Sequence, residues 1–220
     1  MIEYIPGLAG IPATESSISS IDGKKGILAY RGYPIKDLAE HSSFEEVAML
    51  LLEGELPDAT RLTEFEDVLS KRYEVKHNIR SMMWSLPAGG HTMDVLQTAI
   101  AAMATFYPDA GAAEPDSVYT QNALIKIISN MSTLVAMWAR IRAGYDPIPP
   151  SKDMSYAKNF LYMSFGEEPD EQIVKLFDTC LILHAEHTIN ASTFSAMVTA
   201  STNLDTSTFL IIWLKISSLV

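Results

Sequence analysis

Apolar residues recur along most of this chain at helical rather than strand spacing. Ser43-Phe-Glu-Glu46 has the capping-box pattern, in which the serine caps a helix and the glutamate reaches back to it. Val47, Leu50 and Leu51 follow at helical intervals and Gly54 ends the run. A second helix is predicted over residues 58–75, with Leu62, Phe65, Val68 and Leu69 on one face. After the break Leu86-Pro-Ala-Gly-Gly90, residues 92–107 form a helix that is apolar on most of its surface. Such a helix is buried on more than one side, in a core or at a subunit interface. A longer helix follows over 117–142, and it ends before Gly144 and the loop Asp146-Pro-Ile-Pro-Pro150. Residues 155–165, stopped by Gly166, and 171 onward complete the series.

The first thirty residues depart from this periodicity. Ile18-Ser-Ser-Ile21, Asp22-Gly23 and Gly26-Ile-Leu-Ala-Tyr30 predict a small hairpin, with Asp-Gly supplying the positive φ angles of a tight turn. Arg31-Gly-Tyr-Pro34 reads as a turn rather than a binding loop. The expected architecture is all-α with a minor β appendage at the amino end.

Composition narrows the partners. The net charge of −11, from 16 basic and 27 acidic residues, disfavours nucleic-acid binding, which needs a basic surface. The single cysteine, Cys180, excludes an intramolecular disulfide framework. The longest apolar run, Phe209 to Leu214, falls far short of the roughly 20 residues that span a bilayer. No signal peptide or transmembrane segment is expected, and a cytoplasmic protein is.

Candidate chemistry concentrates in Leu183-His-Ala-Glu-His-Thr-Ile-Asn-Ala-Ser-Thr-Phe194. If this segment is helical, successive residues turn by about 100°. His184, His187 and Asn190 then share one third of the circumference, while Glu186 points nearly the opposite way. That stripe suits a small polar or anionic ligand, because imidazoles donate to carboxylate oxygens. A metal site is disfavoured: histidines three apart lack the third ligand that zinc requires, and the order matches no zincin motif. His91 stands before a helix start with Thr92 as the expected cap, and His41 and His77 read as surface or helix-end residues. No Gly-x-Ser-x-Gly elbow, P-loop or dinucleotide fingerprint is present. Local chemistry alone leaves core, cap and ligand pocket open for the histidines.

A wider set of segments adds up to a family resemblance. Ile21-Asp-Gly-Lys-Lys-Gly-Ile-Leu-Ala-Tyr-Arg-Gly-Tyr-Pro-Ile35 and Ser43-Phe-Glu-Glu-Val-Ala-Met-Leu-Leu-Leu-Glu-Gly-Glu-Leu-Pro57 resemble the amino-terminal part of prokaryotic-type citrate synthases. His91-Thr-Met-Asp-Val-Leu96, Ser155-Tyr-Ala-Lys-Asn-Phe-Leu-Tyr-Met163 and Phe165-Gly-Glu-Glu-Pro169 do so too. The histidine segment is similar to the family's His-Ala-Asp-His-x-x-Asn-Ala-Ser-Thr. The likeness runs in order from about residue 8 to 205, with Thr92 where the family usually has proline.

The resemblance implies helices of the citrate synthase large domain and condensation of acetyl-CoA with oxaloacetate to give citrate and CoA. It implies a homodimer paired through helices such as 92–107 and 117–142, with acetyl-CoA as co-substrate and no further cofactor or metal. His187 matches the family's substrate-binding histidine, and His184 and Asn190 flank it as pocket neighbours. In the family an aspartate deprotonates the acetyl methyl group, one histidine stabilises the enol and another polarises the oxaloacetate ketone. The Gly-Pro-x-His-Gly-Gly and Gly-His-Arg-x-Tyr segments, the catalytic aspartate and the arginine clamps lie, in the family, beyond the position of Asp205. Residues 206–220 are an apolar tail unlike the family. The expectation is therefore a truncated or frameshifted product, catalytically incomplete by itself, with no catalytic residue of its own. 2-Methylcitrate synthase and a non-catalytic dimerising remnant are the alternatives.

Overall fold

The computed structural model describes residues 14–106, 118–186, 188–189 and 191–201. Among them the chain forms three short strands and then nine helices. Strands β1 (Ser19–Asp22), β2 (Ile27–Tyr30) and β3 (Tyr33–Pro34) make an antiparallel sheet in sequence order. The β1–β2 hairpin is present, with Ile21 opposite Leu28. Its turn differs from expectation: Gly26, not Gly23, takes the positive φ of 66°. Asp22 instead organises the loop, its Oδ1 accepting from the amides of Lys24 and Lys25. The predicted turn at 31–34 is real but joins two strands. Arg31 and Gly32 both have positive φ (47° and 90°), as a two-residue primed turn requires, and β3 is a strand the sequence pattern had not announced.

Helices α1 (Ile35–His41) and α2 (Phe44–Glu53) follow at once. The capping box on α2 is complete: the Ser43 amide donates to Glu46 Oε2 at 2.7 Å, and the Glu46 amide donates to Ser43 Oγ at 3.2 Å. Gly54 closes the helix in the left-handed conformation. Ser43→Ala is expected to cost about 1 kcal/mol, read as a lowered thermal midpoint.

Helix α3 (Ala59–Ser70) is shorter than the predicted 58–75. The amides of Arg72 and Tyr73 reach back only three residues, to Leu69 and Ser70, and polar side chains of α6 (Val118–Arg142) hold the chain as it leaves. Asn130 Nδ2 donates to the Arg72 carbonyl, and Thr133 Oγ1 donates to the Tyr73 carbonyl at 2.8 Å. Both carbonyls, which a helix ending at residue 75 would leave without intrahelical partners, are thus satisfied from α6. His77 opens α4 (His77–Ser85) and His41 closes α1, both helix-end positions as expected.

Helix α5 (Thr92–Ala104) is capped by His91, whose Nδ1 accepts from the Met93 amide at 3.3 Å. Thr92, the expected cap, instead accepts from Arg142 at 3.0 Å. The burial of α5 is also narrower than its composition suggested. Val95, Leu96, Ala99, Ile100 and Met103 form one buried stripe against α4 and α6, while Ala101 and Ala102 are half-buried. Of the two helices expected at a subunit interface, α5 thus turns its main apolar stripe inward, onto its own chain.

Helix α6 runs through the middle of the structure, packed against α3, α4, α5 and α7 (Tyr156–Phe165). Its segment Gln121–Arg142 is long and apolar enough to cross a membrane, contrary to the expectation of no such segment, because polar residues interrupt its apolar runs. Its environment argues otherwise. Leu134, Ala136, Met137 and Trp138 are buried in protein, and Ser129, Asn130, Ser132 and Thr133 all hydrogen-bond to protein carbonyls.

Two buried carboxylates cap the start of other helices. Asp178 on α8 (Glu171–His184) accepts from the Phe44 amide, the first of α2, at 3.1 Å. Glu45 on α2 accepts from the Tyr156 amide, the first of α7, at 2.7 Å. Each places a carboxylate where helix dipoles favour one. Burial still dominates and pushes both carboxyls above their ordinary values.

Candidate functional site

The histidine segment is not a continuous helix. Helix α8 ends at His184, residues 185–186 and 188–189 are irregular, and α9 begins at Ala191 (Ala191–Ala200). The single-face polar stripe, which required an unbroken helix, is therefore replaced by a junction between two helices. Thr188 has φ = 60°, in the left-handed region that a β-branched residue rarely occupies. His187 and Asn190 lie outside the described residues.

His184 is described and exposed. Its Nδ1 lies 2.8 Å from the Cys180 carbonyl. A carbonyl only accepts, so Nδ1 carries the proton. The imidazole thus adds a side-chain hydrogen bond within the last turn of α8, as basic side chains at a helix end commonly do. Of the readings open for this residue, the cap is the one its geometry supports. Glu186 is half-buried outside the helix, and among the described residues its Oε2 has no hydrogen-bond partner.

The junction is held from the far end of the chain. Tyr30 on β2 is fully buried, and its hydroxyl lies 3.3 Å from the Leu183 carbonyl and 3.1 Å from the Glu186 carbonyl. The ring packs with Leu38, Val47, Leu50 and Ile182, so sheet, α1, α2 and α8 meet at one cluster. Burial pushes the Tyr30 phenol above its ordinary value of 10, which keeps it a donor. Sequence reasoning had not singled out Tyr30. The available signal was the inward alternation of Leu28 and Tyr30 along β2; the partners, more than 150 residues away, left none.

A predominantly helical protein with a small amino-terminal sheet, clasping a polar junction between its last two described helices, is the class these features define. The family model described as "Citrate synthase, C-terminal domain" matches residues 7–211. A citrate synthase from Acidithiobacillus ferridurans is 52% identical over 202 residues, covering 90% of this chain and 52% of the relative. A 2-methylcitrate synthase from Mycobacterium tuberculosis is 40% identical over 199 residues, covering 90% and 50% respectively. The crystal structure of citrate synthase from Pyrobaculum aerophilum superposes with a TM-score of 0.85 at 35% identity, covering 95% of this chain and 54% of that one. The chain belongs to the citrate synthase family. It spans about half the length of the curated relatives it matches.

Proposed function

We propose that these residues form the oxaloacetate-binding half of a cytoplasmic citrate synthase, an enzyme that condenses acetyl-CoA with oxaloacetate. The observation that carries the reading is the polar junction between α8 and α9, at the segment similar to the family's substrate-binding motif. His187 is assigned to the substrate, where an imidazole donates to a carboxylate or ketone oxygen. His184 and Asn190 are assigned as its neighbours. His184 already uses Nδ1 at the helix end, so Nε2 is the atom it has for a ligand. Acetyl-CoA is favoured over propionyl-CoA because the citrate synthase from A. ferridurans is 52% identical where the 2-methylcitrate synthase is 40% identical. A homodimer is the assembly implied by the family. Exposed apolar side chains on α8 (Ile173, Leu176, Leu183) and α9 (Phe194, Met197, Val198) support it.

Proton abstraction and enol stabilisation require groups placed at the acetyl methyl and carbonyl. The family's motifs for these groups are not among the 220 residues. The 220 residues by themselves are therefore expected to bind oxaloacetate weakly and to release no CoA from acetyl-CoA. Calorimetry and a thiol-release assay check both statements. His187→Ala should abolish the binding; unchanged affinity would remove the junction as the site, and oxaloacetate-dependent CoA release would refute the division of labour.

A further inference from the structure

The Tyr30 hydroxyl has one proton and two carbonyl acceptors, Leu183 and Glu186, on either side of the point where α8 ends. Leu183 contributes one of the four carbonyls that a helix end leaves without an intrahelical partner. Glu186 lies beyond the helix, so its carbonyl has no ladder to join. A single buried donor thus ties the last turn of α8 to the first irregular residues after it. On the far side of position 187, Thr188 holds a left-handed backbone that its branched side chain disfavours. A conformation of that kind persists only where its surroundings over-determine it. The Tyr30 clasp on Glu186, two residues before Thr188, is one such constraint, anchored in turn by a ring that is fully buried.

We propose that Tyr30 is a positioning residue: its hydroxyl sets the course of the chain from α8 into α9, and through that course the affinity of the junction for its substrate. The second half of this statement rests on the oxaloacetate reading given above. The first half stands on geometry alone. Ring packing is not the agent in either, because a phenyl ring fills the same space without binding the two carbonyls.

Tyr30→Phe is therefore the informative variant, with Leu28→Ala as its counterpart. Leu28 packs against the same cluster from the same strand, and truncating it loosens the packing while the hydroxyl stays. Backbone hydrogen exchange of the 220-residue chain is the direct readout. Tyr30→Phe should accelerate exchange across residues 185–189 by about tenfold, the scale of one lost hydrogen bond, with little change in the other helices. Leu28→Ala should lower the melting temperature without that local acceleration. Calorimetric titration with oxaloacetate should show an affinity loss of about fivefold or more in Tyr30→Phe, again the scale of one hydrogen bond, and less than twofold in Leu28→Ala. Unchanged exchange at 185–189 in Tyr30→Phe would overturn the proposal, as would equal acceleration in the two variants. Faster exchange with unaltered affinity would overturn the link to substrate. Should the unaltered chain bind no oxaloacetate, the functional reading fails, and the exchange data still decide whether Tyr30 sets the junction.

Discussion

Trp138→Ala is expected to destabilise the protein by about 3–5 kcal/mol, the usual cost of emptying a large aromatic site in a core. Trp138 is 1% exposed and is the largest of the fully buried side chains among the described residues. It lies on α6 within the cluster that also holds Ile79 and Met83 from α4 and Val95, Leu96 and Ile100 from α5. Three helices thus meet in the cluster that contains this ring, and no single one of them can collapse into the space it leaves. The backbone approaches it as well: a Cβ added at Gly90 would meet Trp138 Cζ2 at 3.9 Å and the Pro87 carbonyl at 3.2 Å. The indole N–H has no partner among the described residues, so its removal costs no hydrogen bond there. Trp138→Phe keeps much of the apolar area and should therefore cost less than half as much. Urea unfolding curves of the two variants, extrapolated to water, measure both losses. An alanine variant within about 1 kcal/mol of the parent would mean that the three helices are not held by this ring.

The second large effect is a pH dependence of unusual sign. Glu45 is 2% exposed, with Oε1 accepting from the Tyr156 amide and Oε2 lacking a partner among the described residues. Burial pushes its carboxyl above the ordinary 4.5, with the Asp178 and Glu66 carboxylates acting in the same direction. Asp178 and Glu66 are themselves raised, each chiefly by burial. A group whose folded pKa lies above its unfolded pKa binds more protons in the folded state. Its contribution therefore turns unfavourable as pH rises from the unfolded value through the folded one. The window opens near pH 4.5 and closes at the raised value of Glu45. Glu45→Gln keeps an acceptor for the Tyr156 amide and removes the charge. Its stability relative to the parent should improve as pH rises above 4.5 and level off once the raised value of Glu45 is passed, measured by denaturant titration at each pH. A difference that is flat with pH would show Glu45 to be ionised without penalty. Glu45→Ala, which leaves the start of α7 without its acceptor, should lose about 0.5–2 kcal/mol from the cap alone.

Much of the fold was legible in the residues because its signals are local. Ser43 with Glu46 at the start of α2, and Ser155 and Gly166 at the two ends of α7, are signals of this kind, and each sits where its pattern placed it. Misreadings arose where a distant group competed. Helix α3 stops early where the Arg72 and Tyr73 amides bond only three residues back, and Asn130 and Thr133, nearly 60 residues on, bind the carbonyls of the chain that leaves it. Thr92 lost the cap to His91 and serves Arg142 instead. The histidine segment has helix-compatible composition throughout, yet α8 ends inside it, so the geometry inferred from an unbroken helix did not hold.

The family, the helical class and the segment that bears the candidate chemistry were determined by the sequence alone, since periodicity, caps and motif order are properties of neighbouring residues. Tertiary structure decided where the helices end and what clasps the junction between α8 and α9. A carbonyl at the end of a helix must find a donor, and the donor here is a tyrosine from the opposite end of the chain. No local pattern announces such a pairing, because it exists only once sheet, α1, α2 and α8 have packed around Tyr30.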